Sequence, residues 1–195
     1  MRIYKGFEEE IVLNRPVVAV GSFDGVHLGH RRVLQYLVRN ARDNDAESVV
    51  VTFDPHPQKA LHPESDFFVI NSLDKNLKLI EQEGVDAAIV IPFTPSFSKL
   101  SYVEFVEQYL IGRLHAGAIV MGPNHAIGHN REGNHTLLSD CCLKHGVRVV
   151  ELPELLVDEV GVHSSKIRKA ILAGDLETAN EMLGYGYEKD EKMKR

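Results

Sequence analysis

Two histidines, His27 and His30, stand at the start of a segment with helical spacing, and their type and spacing suit them to phosphate chemistry. They belong to the run 21–30, which reads GSFDGVHLGH. Residues three apart lie on one side of a helix, so both imidazoles could donate N–H bonds to the same oxyanion. The first turn of a helix also presents unpaired N–H groups and the positive end of its dipole. The run therefore predicts an anion site, most often used for phosphate.

The sequence on either side of this run predicts a turn between a strand and a helix. Residues 16–20 are short, apolar and β-branched, as in a buried strand, and residues 31–42 have the apolar spacing of a helix. The three glycines between them allow a sharp turn and a close approach to a ligand. A glycine-rich turn is common by itself, whereas two histidines framing a glycine at a helix start are rarer and favour a functional site.

The run 21–30 resembles the signature of the adenylyltransferase module of bacterial FAD synthetases, which shares the element His-x-Gly-His with other nucleotidyltransferases. Later runs resemble further motifs of that family in the same order, and the resemblance covers about residues 17–187. These runs are TFDPHP at 52–57, FTPSFSKLS at 93–101, GPNHAIG at 122–128 and SSKIR at 164–168.

The resemblance implies that the chain transfers AMP from ATP to FMN, giving FAD and pyrophosphate, with Mg²⁺ accompanying ATP. The catalytic residues that it implies are His27, His30 and Arg168. The implied ATP-binding residues are Gly21, Ser22, Phe23, Asp24, Gly25, Gly29, Ser164 and Ser165. The implied flavin or acceptor residues are Phe53, Pro55, His56, Pro57, Phe93, Asn124, Gly128 and Arg131. No protein residue is predicted to be a metal ligand.

The loop 122–128 departs from the family pattern, because His125 and Ile127 stand where the family usually has aromatic residues. Aromatic faces there would be expected to cover a ring. Two alternatives therefore stay open. One is a nucleotidyltransferase of the same fold acting on a different phosphorylated acceptor, and the other is a non-catalytic binder of a nucleotide or flavin. The presence of both histidines and Arg168 disfavours the second alternative.

The chain alternates predicted strands and helices. A short extended piece at Ile3-Tyr4 and another at 11–13 are expected at the sheet edge. The five predicted core strands are 16–20, 48–53, 86–91, 118–121 and 147–150, and the helices between them are 31–42, 71–83, 101–114 and 136–145. This alternation predicts right-handed crossovers and a doubly wound five-stranded parallel sheet, Rossmann-like, with ligands at the carboxyl ends of the strands.

Residues 1–187 are expected to form one domain, with a core at about 14–160, a nucleotide-gripping helical appendage at 162–184 and a charged tail at 188–195. In the bifunctional bacterial enzymes a riboflavin kinase module follows the adenylyltransferase module. Here the chain stops at residue 195 with no further strand-rich region. We therefore expect a stand-alone adenylyltransferase, a shortened chain or a diverged relative.

Composition excludes several classes of protein. The net charge of −6 argues against nucleic acid as the main partner, because such proteins usually carry a basic stripe. No run is read as a signal peptide or a membrane span, so we expect a cytoplasmic protein with small-molecule substrates. Cys141 and Cys142 are adjacent, which disfavours a disulfide framework. The spacing of His125, His129 and His135 fits no usual zinc pattern. The sequence does not determine the oligomeric state.

Overall fold

The computed structural model describes residues 1–122, 126–157 and 160–188, and its centre is a parallel sheet of six strands. The strands are β1 (Arg2–Lys5), β2 (Val17–Val20), β3 (Ser48–Asp54), β4 (Ala87–Pro92), β5 (Ala118–Met121) and β6 (Arg148–Glu151). Their spatial order is β1-β4-β3-β2-β5-β6, and all neighbours are parallel. The α/β fold with a doubly wound parallel sheet is confirmed. The sixth strand is the edge piece at Ile3-Tyr4, which pairs with β4, whereas residues 11–13 form no strand.

Seven helices and a small hairpin complete the described part of the chain. The helices are α1 (Leu28–Asp43), α2 (Pro57–Leu61), α3 (Leu73–Gln82), α4 (Tyr102–Glu104), α5 (His135–Leu143), α6 (Ser164–Ala173) and α7 (Leu176–Leu183). A π-helical segment, Phe105–Ile111, continues α4, and single 3₁₀ turns occur at Phe97–Lys99 and His129–Arg131. Strands β7 (Leu156–Val157) and β8 (Val160–Gly161) pair antiparallel, apart from the main sheet.

The central strand β2 is buried on both faces, as expected for a parallel sheet covered by helices. Successive side chains of a strand point to opposite faces. Val18 and Val20 accordingly belong to the core that includes Leu110 of the π-helical segment. Val17 belongs to a second core that includes Leu34 of α1. The helices thus cover the sheet in two layers.

The helix predicted at 101–114 begins as expected but changes its winding. Ser101 caps it in a reciprocal capping box, in which the Ser101 side chain accepts from the Glu104 backbone and the Glu104 carboxylate accepts from the Ser101 backbone. After one turn the backbone adopts the wider π winding. Such a change cannot be read from capping residues, which determine only where a helix starts.

The order of the strands creates a crevice between the ends of β2 and β5. The chain passes from β2 to β3 on one side and reaches β5 on the other, so the connections diverge at this point. Ligands of open α/β sheets bind at such a switch point, beyond the carboxyl ends of the strands. The run 21–30 leaves β2 at this position, and the loop that starts at Gly122 leaves β5 beside it.

Candidate active site

The turn between β2 and α1 is held in a strained conformation. Phe23 and Val26 have positive φ values of 46° and 37°, and Gly25 has a φ of 82°. A β-branched residue at positive φ is a rare conformation that persists only where the surroundings impose it. Val26 is completely buried, which is consistent with such an imposed position.

The beginning of the turn is hydrogen-bonded to β3. The Gly21 N–H donates to the Val51 carbonyl at 3.0 Å, and the Ser22 carbonyl accepts from the Thr52 hydroxyl at 3.3 Å. These predicted ATP-binding residues therefore lie where the sheet ends, at the mouth of the crevice.

Replacing Gly25 by alanine is expected to lower the free energy of unfolding by about 2 kcal/mol. The new Cβ would sit at positive φ and would lie 3.1 Å from Ile70 and 3.3 Å from Leu183. Gly146→Ala is the matched control, because Gly146 has a φ of 69° but no atom within 4 Å of a built Cβ. We expect that control to cost about 1 kcal/mol, from backbone strain alone. Urea unfolding measures both variants, and equal losses would contradict the packing argument.

The two histidines of the turn lie together, as their spacing predicts. His27 is the N-cap of α1, and its Nδ1 accepts the backbone N–H of His30 at 3.2 Å. The two rings stack with centroids 3.6 Å apart and planes at 14°. The His30 ring also contacts Phe23, at a centroid distance of 5.3 Å. The first turn of α1 thus presents both imidazoles at the crevice.

The surroundings of His27 keep its ring neutral, so that it can donate a hydrogen bond. Burial lowers the pKa of His27 from its usual value of 6.5 to about 3, and the nearby His163 and Arg168 also lower it. Because Nδ1 accepts a backbone N–H, the single proton of the neutral ring resides on Nε2. His27 can therefore donate one hydrogen bond to an oxyanion without any change in protonation.

This burial predicts a loss of stability in mild acid. Between pH 6.5 and about 3 the unfolded chain binds a proton at His27 that the folded chain does not bind, so stability falls as the pH falls. One such group lowers the free energy of unfolding by about 2 kcal/mol between neutral pH and pH 5, because each pH unit below 6.5 contributes ~1.4 kcal/mol. His27→Asn keeps a capping side chain but does not titrate. We expect its acid-induced loss, measured by urea unfolding at pH 7 and pH 5, to be smaller by that amount. Equal losses would mean that His27 is not buried in its neutral form.

Asp24 joins the turn to α6. Its side chain is buried, and its carboxylate accepts the backbone N–H of Ile70 at 2.9 Å and of Asn71 at 3.2 Å. The carboxylate also forms an ion pair of 2.5 Å with the guanidinium of Arg168. The sequence analysis assigned Asp24 to ATP binding. Its burial and these partners disfavour a direct contact with ATP and indicate that it supports Arg168.

Arg168 is held on three sides. Its Nε donates to the Phe68 carbonyl at 2.8 Å, its Nη2 pairs with Asp24, and its guanidinium lies 4.2 Å from the centroid of the Phe67 ring. The side chain is 14% exposed, so it is not fully enclosed by these contacts. A guanidinium held in this way offers its remaining N–H groups to a phosphate in a fixed orientation.

The start of α6 packs against the same turn. Its N-cap is His163, and Ser164, one of the predicted ATP-binding residues, donates its hydroxyl to the Asp24 carbonyl at 3.0 Å. Ser165 is exposed at the first turn of the helix. Gly29 permits this approach, because a Cβ there would lie 3.2 Å from the His27 ring and 3.4 Å from the Val162 carbonyl. The two helix N-termini therefore meet at the crevice.

Two predicted acceptor residues, Phe53 near the end of β3 and Phe93 directly after β4, belong to an aromatic wall beside the site. Phe53 contacts Phe93 edge to face at 5.6 Å, and both contact Phe97 at about 6 Å between ring centroids. His56 caps α2, since its Nδ1 accepts the backbone N–H of Gln58, and its ring lies 4.7 Å from that of Phe67. Burial lowers the pKa of His56 to about 4, although Asp24 opposes the shift.

The two prolines on either side of His56 shape this loop. Pro55 is exposed, and Pro57 is the first residue of α2. Proline suits that position because the first helical residue needs no N–H donor.

The third loop is described only in part. Asn124 and His125 lie outside the described residues. Gly128 has a φ of 84° and lies directly against the Tyr102 backbone, and Arg131 contributes backbone to a 3₁₀ turn. Ile127, which replaces a family aromatic, is 8% exposed and belongs to the core beneath the sheet. Its side chain therefore packs inward and offers no face to a ring.

Groups suited to metal binding are not gathered anywhere in the described chain. Across residues 1–122, 126–157 and 160–188, no three His, Cys, Asp or Glu side chains are placed to hold a metal ion. Within the same ranges no helix is both long and apolar enough to cross a bilayer. Cys141 and Cys142 are buried free thiols.

The sequence pattern of the FAD synthetase family matches residues 10–166. The chain belongs to this family. The match contains the turn, the aromatic wall and the start of α6, whereas the rest of α6 and α7 follow it. FAD synthetase membership thus agrees with the resemblance carried by the histidine motif.

Several longer proteins are similar in sequence to this chain over most of its length. The bifunctional riboflavin kinase/FMN adenylyltransferase of Listeria monocytogenes is 36% identical over 88% of this chain, which is 54% of that protein. The protein of the same name from Bacillus subtilis is 35% identical over 89% of this chain and 54% of its own length. The one from Buchnera aphidicola (Schizaphis graminum) is 30% identical over 94% of this chain and 60% of its own length. The chain spans about half the length of these relatives.

Solved structures share the fold of this chain. The crystal structure of a macrolide-efflux protein from Streptococcus pneumoniae superposes with a TM-score of 0.81 at 27% identity, covering 95% of this chain and 62% of that one. Pantothenate synthetase from Thermus thermophilus has a TM-score of 0.55 at 14% identity, covering 94% of this chain and 82% of that one. The second likeness concerns the fold alone.

Several residues of the site carry no signal in a sequence motif. Phe67 faces Arg168, and Asn71, Asn76 and Tyr185 surround Gly25. They come from the segment before α3, from α3 itself and from the residues after α7. Only the folded chain brings them to the turn, because they are separated from it by about 40 to 160 residues.

Proposed function

We propose that this chain transfers AMP from ATP to FMN, releasing pyrophosphate and forming FAD. The observation that carries the proposal is the meeting of two helix N-termini at the switch point of the sheet, joined by the Asp24–Arg168 ion pair. One terminus supplies His27 and His30, and the other supplies Ser165 and the fork of Arg168. The printed activities of the longer relatives support this choice of reaction.

The first step of the proposed mechanism is alignment of the reacting groups. The phosphate of FMN is already anionic near neutral pH, so its attack on the α-phosphorus of ATP needs no strong general base. Phosphoryl transfer then depends mainly on positioning and on stabilising charge as pyrophosphate leaves. The stack of His27 on His30 fixes two donors at the start of α1, where the helix dipole also favours negative charge.

Charge stabilisation is the second contribution of the residues. The neutral His27 ring donates from Nε2 to an oxygen of the α- or β-phosphate, and Arg168 faces the outer phosphates. Donors that are aimed before the reaction need no reorganisation as charge develops. ATP enters as its Mg²⁺ complex. Because the Asp24 carboxylate is occupied by N–H donors and Arg168, we assign the ion to the phosphates of the substrate rather than to the protein.

The acceptor lies, in this proposal, on the β3–β4 side of the crevice. Phe53 and Phe93 offer ring edges and faces to the flavin, and His56 and Pro57 border the same space. Asn124, Gly128 and Arg131 stay acceptor-binding residues on the basis of the sequence motif alone. We further propose that residues 1–187 act as one domain in the cytoplasm.

The test is product formation by the purified chain. It is incubated with MgATP and FMN, and the products are separated by chromatography. FAD and pyrophosphate in equal amounts would support the proposal. If neither forms although ATP raises the melting temperature, the acceptor is wrong, and other phosphorylated acceptors are then tested.

A further inference from the structure

The backbone of Gly25 is held at its N–H and at its carbonyl by side chains from distant parts of the chain. Its N–H donates to Asn76 Oδ1 at 3.1 Å, and its carbonyl accepts the Tyr185 hydroxyl at 2.5 Å. Asn76 lies in α3, and Tyr185 follows the Gly184 that ends α7. The Gly25 backbone is thus bonded to a side chain of α3 and to one that follows α7. We call this pair of hydrogen bonds, from Asn76 and Tyr185 to Gly25, the clasp.

The two side chains are themselves connected. The amide Nδ2 of Asn71 donates to Asn76 Oδ1 at 3.2 Å and to the Tyr185 hydroxyl at 2.7 Å. Asn71 and Asn76 are 2% and 7% exposed. A buried polar network in which the members bond to each other specifies one arrangement, because each broken bond leaves a buried group unpaired.

The clasped peptide lies just before the residues that face phosphate. Gly25 precedes Val26, whose φ of 37° is strained, and Val26 precedes His27, the N-cap of α1. A change in the backbone dihedral angles of Gly25 would alter the conformation of Val26 and the direction in which the His27 ring points. The clasp therefore acts on the histidines through the backbone.

We propose that Tyr185 is a positioning residue. Together with Asn71 and Asn76 it holds the backbone of Gly25. In this way it orients His27 and His30 toward the nucleotide phosphates. This inference rests on the function proposed above and deepens it, because it gives the segment after α7 a part in the reaction. Tyr185 lies beyond residue 166, where the family match ends. Neither the histidine motif nor the SSKIR motif contains it.

Tyr185→Phe is a sharp test, because it removes only the hydroxyl. The ring is kept, and so are its contacts with the Arg31 guanidinium at 5.6 Å and the Lys75 ammonium at 5.4 Å. Tyr187→Phe is the matched control. It removes the same group from a half-buried tyrosine two residues away, whose hydroxyl forms no hydrogen bond with residues 1–122, 126–157 or 160–188.

We expect Tyr185→Phe to lower kcat for FAD formation about tenfold with KM for ATP and FMN changed less than twofold, within the ~10²-fold range for a misplacement of 1 Å. Tyr187→Phe should keep the wild-type kcat. Hydrogen exchange, followed by NMR, should be faster at the amides of Gly25 and Val26 in Tyr185→Phe and unchanged in Tyr187→Phe. A merely structural role would lower the melting temperature without these local changes.

The outcomes separate this inference from the proposed function. If the wild-type chain makes FAD and Tyr185→Phe keeps its kcat, only the inference is overturned. If the wild-type chain makes no FAD, the proposed function fails, and the exchange rates alone decide the inference. Faster exchange confined to the turn would support the clasp, and unchanged exchange at Gly25 and Val26 would overturn it.

Discussion

Replacing His30 by alanine is expected to lower kcat for FAD formation by about 10²-fold or more, the range for removing one oxyanion donor. The His30 ring stacks on His27 at 3.6 Å, so the variant loses one donor and also releases the second ring from its stack. The backbone bond from His30 to His27 Nδ1 remains, which should keep α1 folded. Steady-state kinetics with MgATP and FMN, together with a thermal melt, make the measurement.

His145→Ala is the control for this variant. His145 is exposed just after α5, where its Nε2 lies 3.2 Å from the carboxylate of Glu107 in the π-helical segment. We expect it to keep the wild-type kcat. A wild-type rate for His30→Ala would contradict the assignment of the turn to the phosphates of ATP.

Replacing Arg168 by glutamine is expected to reduce both activity and stability. The variant leaves the carboxylate of Asp24 buried without its cation, and breaking a buried ion pair in this way costs about 3 kcal/mol of the free energy of unfolding. Loss of the guanidinium, whose N–H donors are held in a fixed orientation, should lower kcat by about 10²-fold. Urea unfolding and the FAD assay measure the two effects separately.

Asp24→Asn distinguishes the two roles of this pair. It keeps the shape of the side chain and the cationic Arg168, which still bonds to the Phe68 carbonyl. We therefore expect it to lose activity by only about tenfold, less than the ~10²-fold loss of Arg168→Gln. Arg148→Gln, at an exposed position of β6, should change neither quantity. If Asp24→Asn lost more activity than Arg168→Gln, Asp24 would act on ATP directly.

The core elements of the fold were predictable because their signals are local. β-branched runs such as 48–53 indicate buried strands wherever they lie in the chain. The helices predicted from 71 and from 101 begin in the structure after the N-caps Ser72 and Ser101. The edge piece predicted at Ile3-Tyr4 is confirmed, and its pairing with β4 makes Arg2–Lys5 the sixth strand, which only the structure shows because pairing is a tertiary contact.

Ser164 shows where local reasoning reached its limit. The sequence motif assigns Ser164 to ATP binding, whereas in the structure its hydroxyl donates to the Asp24 carbonyl, 140 residues away in sequence. This tertiary contact supplies the donor that the carbonyl of the turn needs.

By itself, the sequence determined that a strand-to-helix turn brings two histidines together at a helix start, since residue spacing on a helix is a local property. That this turn binds phosphate stays a prediction. The tertiary structure alone decided how that turn is supported. Asp24 faces Arg168 rather than solvent, and Tyr185 clasps Gly25 from the far end of the chain. Such contacts join residues more than 100 positions apart, and no local periodicity records them because chain packing alone brings them together.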